Sequence, residues 1–208
     1  MTRPRTFMRH WDRRAPTYDK SMEAMERSLF GDSRAWVSGR AHGRTLEIAI
    51  GTGANLAHYG SSVQLTGIDF SSVMLDLARA RADNLNREVT LDRGDAMALP
   101  YADASFDTVL STFALCCVPD ERLAVHEALR VLRPGGQLLL ADHVLATALP
   151  LRLVQYAADL VTVPWHGEHF TRRPLLLLRE LDVTLEETDR ISKGIVERVH
   201  ARKGTSTT

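Results

Sequence analysis

The amino-acid sequence predicts an α/β fold on a mostly parallel sheet, and three observations predict it. Leu46, Ile48 and Ile50 read as a strand leading into the small-residue turn Gly51-Thr52-Gly53-Ala54, after which polar Asn55 opens what reads as a helix. A strand, a tight turn and a helix N-terminus hold a nucleotide-like ligand against exposed backbone N–H groups. A second apolar strand, Leu65-Thr66-Gly67-Ile68, ends on Asp69, 16 residues after Gly53. A carboxylate placed there accepts hydrogen bonds from both hydroxyls of a ribose. From 45 to 145 the pattern alternates strand and helix, as a parallel sheet covered on both faces requires.

Each element follows in order. Trp11, Ala15, Tyr18, Met22, Met25 and Leu29 recur at helical spacing, so residues 1–40 read as a lid of one or two amphipathic helices. A helix is expected over Ser71 to Ala82, capped by its serine, with Met74, Leu77 and Ala78 on one face. Another is expected over Glu121 to Leu132, turning Leu123, Ala124, Ala128, Val131 and Leu132 to the sheet. Pro134-Gly135-Gly136 then turns the chain into a strand from Gln137 to Ala141. Residues 146–203 read as a substrate cap and closing strands. Leu149 to Val163 is an apolar helix with Arg152 and Asp159 as its only charges, ended by Pro164. Thr171 to Leu181 is a further helix with Pro174 in its first turn. Strands around Val183 to Glu187 and Ile195 to His200 close the sheet, and the tail from Lys203 is small and polar.

Composition sets the outer limits. A chain of 208 residues holds one domain with a full core, here 1–208, and 44% apolar with 25% charged residues is ordinary for a soluble globular protein. Twenty-six basic and 26 acidic residues cancel, which argues against a nucleic-acid partner. Arg3 to Arg14 is locally positive: a solvated cationic arm, or a segment drawn to an anionic membrane surface as a peripheral contact. No apolar run approaches the roughly 18 residues that span a bilayer, and no apolar segment follows the N-terminal charge as in a signal peptide. Cys116 and Cys117 are adjacent and cannot staple distant parts of the fold, so reduced thiols in a cytoplasm are expected. The sequence is silent on oligomeric state.

The residues also discriminate between cofactors. A dinucleotide fold wants a third glycine where Leu56 stands. Glu47, four residues before Gly51, would repel a pyrophosphate but can anchor a cationic group. S-adenosyl-L-methionine carries a ribose, a sulfonium and an ammonium but no phosphate, and fits these residues better than NAD(P).

Five segments in order resemble the class I S-adenosylmethionine-dependent methyltransferases. Glu47-Ile48-Ala49-Ile50-Gly51-Thr52-Gly53 is similar to the family's first motif, E-x-G-x-G-x-G, with Ala49 at the first glycine. Asp69-Phe70-Ser71-Ser72-Val73-Met74 resembles the ribose-binding segment and Gly94-Asp95-Ala96-Met97 the adenine-binding one. Ser105 to Val109 and Leu132 to Leu138 resemble the fourth strand and the turn into the fifth. The resemblance implies a Rossmann-like methyltransferase fold with a seven-stranded sheet. It also implies cofactor contacts at Asp95 with the adenine amino group, at Ala96 and Met97 on the ring, and at Thr112 and Phe113 after the fourth strand. Arg14 to Asp19 resembles the family's lid motif, with the Tyr18 hydroxyl toward the cofactor.

On the acceptor side, His143 follows the fifth strand at the edge where open α/β sheets bind ligands, and is the expected catalytic residue. His166 and His169 are expected substrate contacts from the cap. With Glu168 they also make a lone H-x-x-H run without thiols, too little for zinc, and no metal is expected. Thr112 to Val118, Asp142-His143-Val144 and His169 to Arg172 narrow the resemblance to a branch with bacterial phosphatidylethanolamine N-methyltransferases and animal thiol methyltransferases. That branch carries glutamate where Asp142 stands. The function implied is methyl transfer to a small or amphipathic acceptor, an amine or a thiol, in a desolvated pocket. The alternatives are a non-catalytic cofactor-binding module acting through partners and an NAD(P)-dependent oxidoreductase.

Overall fold

The computed structural model describes residues 4–205. Seven strands form one sheet. Five run parallel: β1 (Arg44–Ile48), β2 (Gln64–Asp69), β3 (Thr90–Arg93), β4 (Phe106–Thr112) and β5 (Leu132–His143). The last, β7 (Val196–Lys203), inserts antiparallel between β5 and β6 (Val183–Ile191), so the order is β3-β2-β1-β4-β5-β7-β6. The C-terminal ends of the five parallel strands share one edge, and the connections diverge on either side of β1, the crevice where such sheets bind ligands. The core strands are apolar throughout because helices cover both faces: Leu46, Val109, Leu138 and Leu139 are fully buried.

Helices α1 (Pro4–Met25), α2 (Ser33–Ser38), α3 (Ser72–Asn84), α4 (Glu121–Val131), α5 (Leu149–His166) and α6 (Pro174–Leu178) surround the sheet. The lid helix α1 runs on through a π-turn, Glu26–Phe30. It is tied to the sheet edge by Asp12, which accepts the Ser71 hydroxyl at 2.5 Å, and by Asp19, which accepts the Thr52 hydroxyl at 2.7 Å and pairs with Arg81.

Several elements differ from the sequence reading, each for a local reason. Asn55 does not open an α-helix; a single 3₁₀ turn, Leu56–His58, joins the first turn to β2. The Asn55 side chain points inward, so it caps nothing, and Tyr59 leaves the turn in extended conformation with its hydroxyl fixed on Glu47. Leu123 faces solvent at 50% exposure, because Asp120 caps α4 through the Leu123 N–H and rotates Ala124, Val125 and Ala128 inward. Leu77 likewise lies at the rim of α3.

Strand β5 begins at Leu132, passing through Pro134-Gly135-Gly136 with a register shift before Thr108 pairs with Gln137. Pro164 sits inside the last turn of α5 rather than ending it, one turn after the exposed Leu160. The helix stops at Gly167, left-handed at φ 70°, whose N–H bonds the Thr162 and Val163 carbonyls. Helix α6 is confined to Pro174–Leu178, since Asp159 accepts the Phe170 N–H and the Thr171 hydroxyl and holds that segment against α5.

Candidate active site

The turn after β1 places three residues in left-handed backbone: Ala49 (φ 55°), Gly51 (φ 57°) and Gly53 (φ 75°). Opposite it, at the end of β2, the Asp69 carboxylate accepts the Gly51 N–H through Oδ2 and the Ser71 N–H through Oδ1, both at 2.9 Å. Ser71 in turn caps α3 by accepting the Met74 N–H. Burial is the main reason that the Asp69 carboxyl is raised to about 6, against the lowering effect of those backbone donors. Turn, strand end, helix start and lid are thus organised around one carboxylate.

Behind the turn lies a buried polar chain. Glu47 is 2% exposed and accepts Asn55 Nδ2 at 2.7 Å and the Tyr59 hydroxyl at 2.6 Å. Burial pushes its carboxyl to about 7, partly countered by those two donors and by Arg34. Asn55 Nδ2 also donates to Thr112 Oγ1 at 2.8 Å, while Asn55 Oδ1 and Thr112 Oγ1 each accept from Arg34 Nη1 at 3.2 Å. Arg34 is paired with Glu26 and lies 5.2 Å from the centre of the Phe113 ring, which stacks on Phe30 at 3.7 Å. Phe113 is itself left-handed, at φ 52°. Glu47 and Asn55 therefore stand one layer behind the ligand-facing surface, which Thr112 and Arg34 present on their behalf.

In front is a cavity of about 860 Å³, its open mouth included. Of the residues singled out in the sequence, Ala49, Gly51, Asp69, Phe70 and Met74 line it on one side, with Ala96, Thr112, Phe113 and Tyr18 around the rest. Burial raises the Tyr18 phenol far above its ordinary value. Gly53 supports the turn from behind, where a Cβ would lie 2.6 Å from Leu56. Ser71 lies below the wall as a cap. Asp95 is exposed and accepts the Met97 N–H at 2.9 Å, and Met97 packs on the core. Sequence reasoning missed Trp11, Arg34 and the run Cys117-Val118-Pro119, all of which line the cavity. Arg34 has no motif around it; only the packing of α2 against the β4 end brings it in. Trp11 was legible solely as one apolar position of the lid.

His143 ends β5 at 4% exposure, packed against the Phe170 ring at 4.8 Å, with Nδ1 3.4 Å from Asp142 Oδ1 but no hydrogen bond to either ring nitrogen. It is not among the residues lining the cavity. Asp142 beside it is buried, accepts the His143 and Cys116 N–H groups, and has its carboxyl raised by that burial. Cys116, Asp142 and His143 offer atoms within 4.8 Å of one another, and Cys116 Sγ lies 3.4 Å from Cys117 Sγ. His169 donates its backbone N–H to the Cys116 carbonyl, and burial lowers its imidazole, helped by Arg172. His166 closes α5; its side chain lies outside the described residues.

The donor set suits a nucleoside with a charged amino-acid tail. An acidic side chain awaits paired hydroxyls, Phe70, Met74 and Ala96 offer apolar surface to a purine, and Arg34 is the one cation among the described lining residues. Fold and cavity define a nucleoside-cofactor enzyme of the open α/β class. A methyltransferase-domain profile matches residues 46–140. The chain is 35% identical to a phosphatidylethanolamine N-methyltransferase of Cereibacter sphaeroides, over 75% of this chain and 78% of that one. It is 36% identical to a demethylmenaquinone methyltransferase of Deinococcus radiodurans, over 62% of this chain and 56% of the relative. A solved S-adenosylmethionine-dependent methyltransferase from Methanosarcina mazei shares the fold, with a TM-score of 0.66 at 24% identity over 79% of this chain and 94% of that one. This chain belongs to the class I S-adenosylmethionine-dependent methyltransferases. It is an enzyme, its methyl donor is S-adenosylmethionine, and the oxidoreductase and non-catalytic readings fall away.

Proposed function

We propose that the chain methylates an amphipathic acceptor, with a phospholipid head-group amine as the leading reading. The observation that carries it is the 35% identity extending over 78% of a phosphatidylethanolamine N-methyltransferase. The apolar wall of Phe113, Ala114, Cys117, Val118 and Pro119 accords with it. S-adenosylmethionine supplies a methyl group that is already activated, so alignment and exclusion of water are what remain for the chain to provide.

In this reading Asp69 accepts the ribose hydroxyls and the Gly51 turn lies against the methionine moiety. Phe70, Met74, Ala96 and Met97 flank the adenine, with Asp95 at its amino group. Arg34 and Thr112 receive the carboxylate, and Trp11 and Tyr18 close the lid. An ammonium acceptor must lose a proton before it attacks. His143, whose Nδ1 lies 3.4 Å from Asp142 Oδ1, is assigned that proton, and access of the acceptor to its ring requires the segment carrying Phe170 and His169 to move. His166 and His169 contact the acceptor from the cap.

The relative from Deinococcus radiodurans supports a second reading, methylation of a quinone ring carbon. Purified protein with labelled methyl donor, presented with detergent-dispersed phosphatidylethanolamine, a demethylquinone and an alkyl thiol, separates these. Label in phosphatidylethanolamine is expected. Label confined to the quinone or the thiol would replace the leading reading.

A further inference from the structure

Helix α5 is inside out. The side turned to the protein carries Gln155, Asp159 and Thr162, each engaged with the chain itself. Gln155 accepts the Ala146 N–H at 2.7 Å and donates to the Val144 and Phe170 carbonyls. Asp159 holds Phe170 and Thr171, and the Thr162 hydroxyl bonds the Glu168 carbonyl. The side turned to solvent carries Leu149, Leu153, Val154, Leu160, Val161 and Trp165, each 60 to 79% exposed, with Tyr156 beside them at 48%. Among the described residues no charged side chain interrupts that face. Scattered exposed apolar residues are ordinary, but a continuous stripe along 18 residues marks an interaction surface.

The electrostatics beside the helix N-terminus select the partner. Arg173 and Arg190 share one carboxylate oxygen of Glu197, each at 3.4 Å, while Glu197 is 2% exposed. Arg190 also donates to the Leu145 carbonyl, four residues before α5 begins. Arg152 stands in the first turn of α5 and forms no ion pair among the described residues. Arg173 and Arg190 thus share one acid, and Arg152 adds a further positive charge, beside an apolar stripe that bears a tryptophan and a tyrosine. Apolar area with aromatic residues that prefer the water–lipid boundary, flanked by cationic excess, is the composition of a helix lying in the surface of an anionic bilayer. A second copy of the same face, packed antiparallel, would leave the arginines at opposite ends of the pair without the anionic groups that a phospholipid surface supplies.

We propose that the outward face of α5, with Arg152, Arg173 and Arg190 at its N-terminal end, seats the enzyme on an anionic phospholipid surface. The helix springs from the C-terminal end of β5, the sheet edge on which the cavity opens, so an acceptor in the bilayer is presented to that edge. The proposal deepens the lipid-acceptor reading in purpose, but its test is independent of turnover. Co-sedimentation of the full chain with vesicles of phosphatidylglycerol and phosphatidylcholine, against phosphatidylcholine alone, measures it directly. Binding to the anionic vesicles is expected to be at least tenfold stronger and to weaken with salt. The triple variant Leu153→Ser, Leu160→Ser, Trp165→Ser should lose binding at least tenfold while keeping its affinity for S-adenosylhomocysteine, the control for folding. Arg152→Gln should lose about threefold, in the anionic vesicles alone. Equal binding by wild type and triple variant, or no vesicle binding by wild type, would overturn the proposal. So would a wild-type dimer that the triple variant converts to monomer, which would give the face to a second copy. Vesicle binding without methylation of detergent-dispersed phosphatidylethanolamine would refute the acceptor reading and leave the docking surface standing.

Discussion

Asp69 holds Gly51 across the strand ends: its Oδ2 accepts the Gly51 amide at 2.9 Å, while Oδ1 is held by the amide of Ser71. One carboxylate therefore shapes the glycine turn and presents its remaining lone pairs to the cavity. The site's geometry is set before any ligand arrives, which lowers the ordering cost of binding.

The first prediction concerns that carboxylate. Asp69→Ala should weaken S-adenosylmethionine binding by about 2–4 kcal/mol, since bonds to a charged acceptor are worth about 1.5–3 kcal/mol each before non-additivity. Part of the loss comes from releasing the Gly51 turn. The carboxyl is raised to about 6, so wild-type affinity should also fall as the pH drops through 6 and the charged acceptor is lost. Calorimetry at pH 5 and pH 8 measures both; an unchanged dissociation constant in the variant would reduce Asp69 to a structural role.

A second prediction follows from Glu47. Its carboxyl is raised to about 7 when folded, against 4.5 for the unperturbed group. Between those values the folded chain binds more protons than the unfolded one, so this group makes stability fall as pH rises from 4.5 to 7. Glu47→Gln keeps partners for Asn55 and Tyr59 but cannot ionise. Relative to wild type it should be more stable at pH 8 than at pH 5, by roughly 1–3 kcal/mol. Urea denaturation at the two pH values reads the difference directly, and no change in it between them would contradict the assignment.

Ala49 supplies a third. A non-glycine residue at φ 55° costs of the order of 1–2 kcal/mol, against which glycine restores conformational freedom to the unfolded chain. Ala49→Gly should therefore stabilise by about 0.5–1 kcal/mol, a rise of a few degrees in Tm for a domain of this size. A fall in Tm would mean that the alanine methyl packs better than its backbone strain suggests.

On the acceptor side, His143→Ala should lower kcat/KM by about ten- to a thousandfold, a general-base-sized effect, with cofactor affinity unmoved. His166→Ala and His169→Ala should act mainly through acceptor KM. Activity should survive chelation. If it is lost and then restored by zinc, the cluster of Cys116, Asp142 and His143 would have to be reassigned as a metal site. Full turnover in the His143 variant would leave catalysis to alignment and desolvation.

Much of the fold was legible because parallel strands buried on both faces announce themselves as apolar runs, as at Leu46 to Ile50 and Leu138 to Ala141. Asp69 and Gly51 were legible because a tight turn and a strand-end acceptor demand those residue types at those spacings, and Ala49 only through its place in the family motif. The helix after Asn55 was misread, since an inward-facing asparagine and an outward-facing cap look alike in sequence. Burial of Glu47 behind Thr112, and the approach of Arg34, are tertiary facts with no local signature. Pro164 misled because α5 carries the proline within its last turn and takes its stop from left-handed Gly167 instead.

The antiparallel strand β7 follows every other described strand in sequence yet sits inside the sheet, bonded to β5 on one side and β6 on the other. During synthesis β5 leaves the ribosome with one edge bare and stays so until residues 196–203 follow, some 50 residues later. A nascent chain stalled in that interval exposes a long apolar edge ready to pair with a neighbour. Release of this enzyme in active form is therefore expected to depend on chaperone protection until residue 203 has emerged, and a truncation before Val196 should yield aggregate rather than a smaller folded domain.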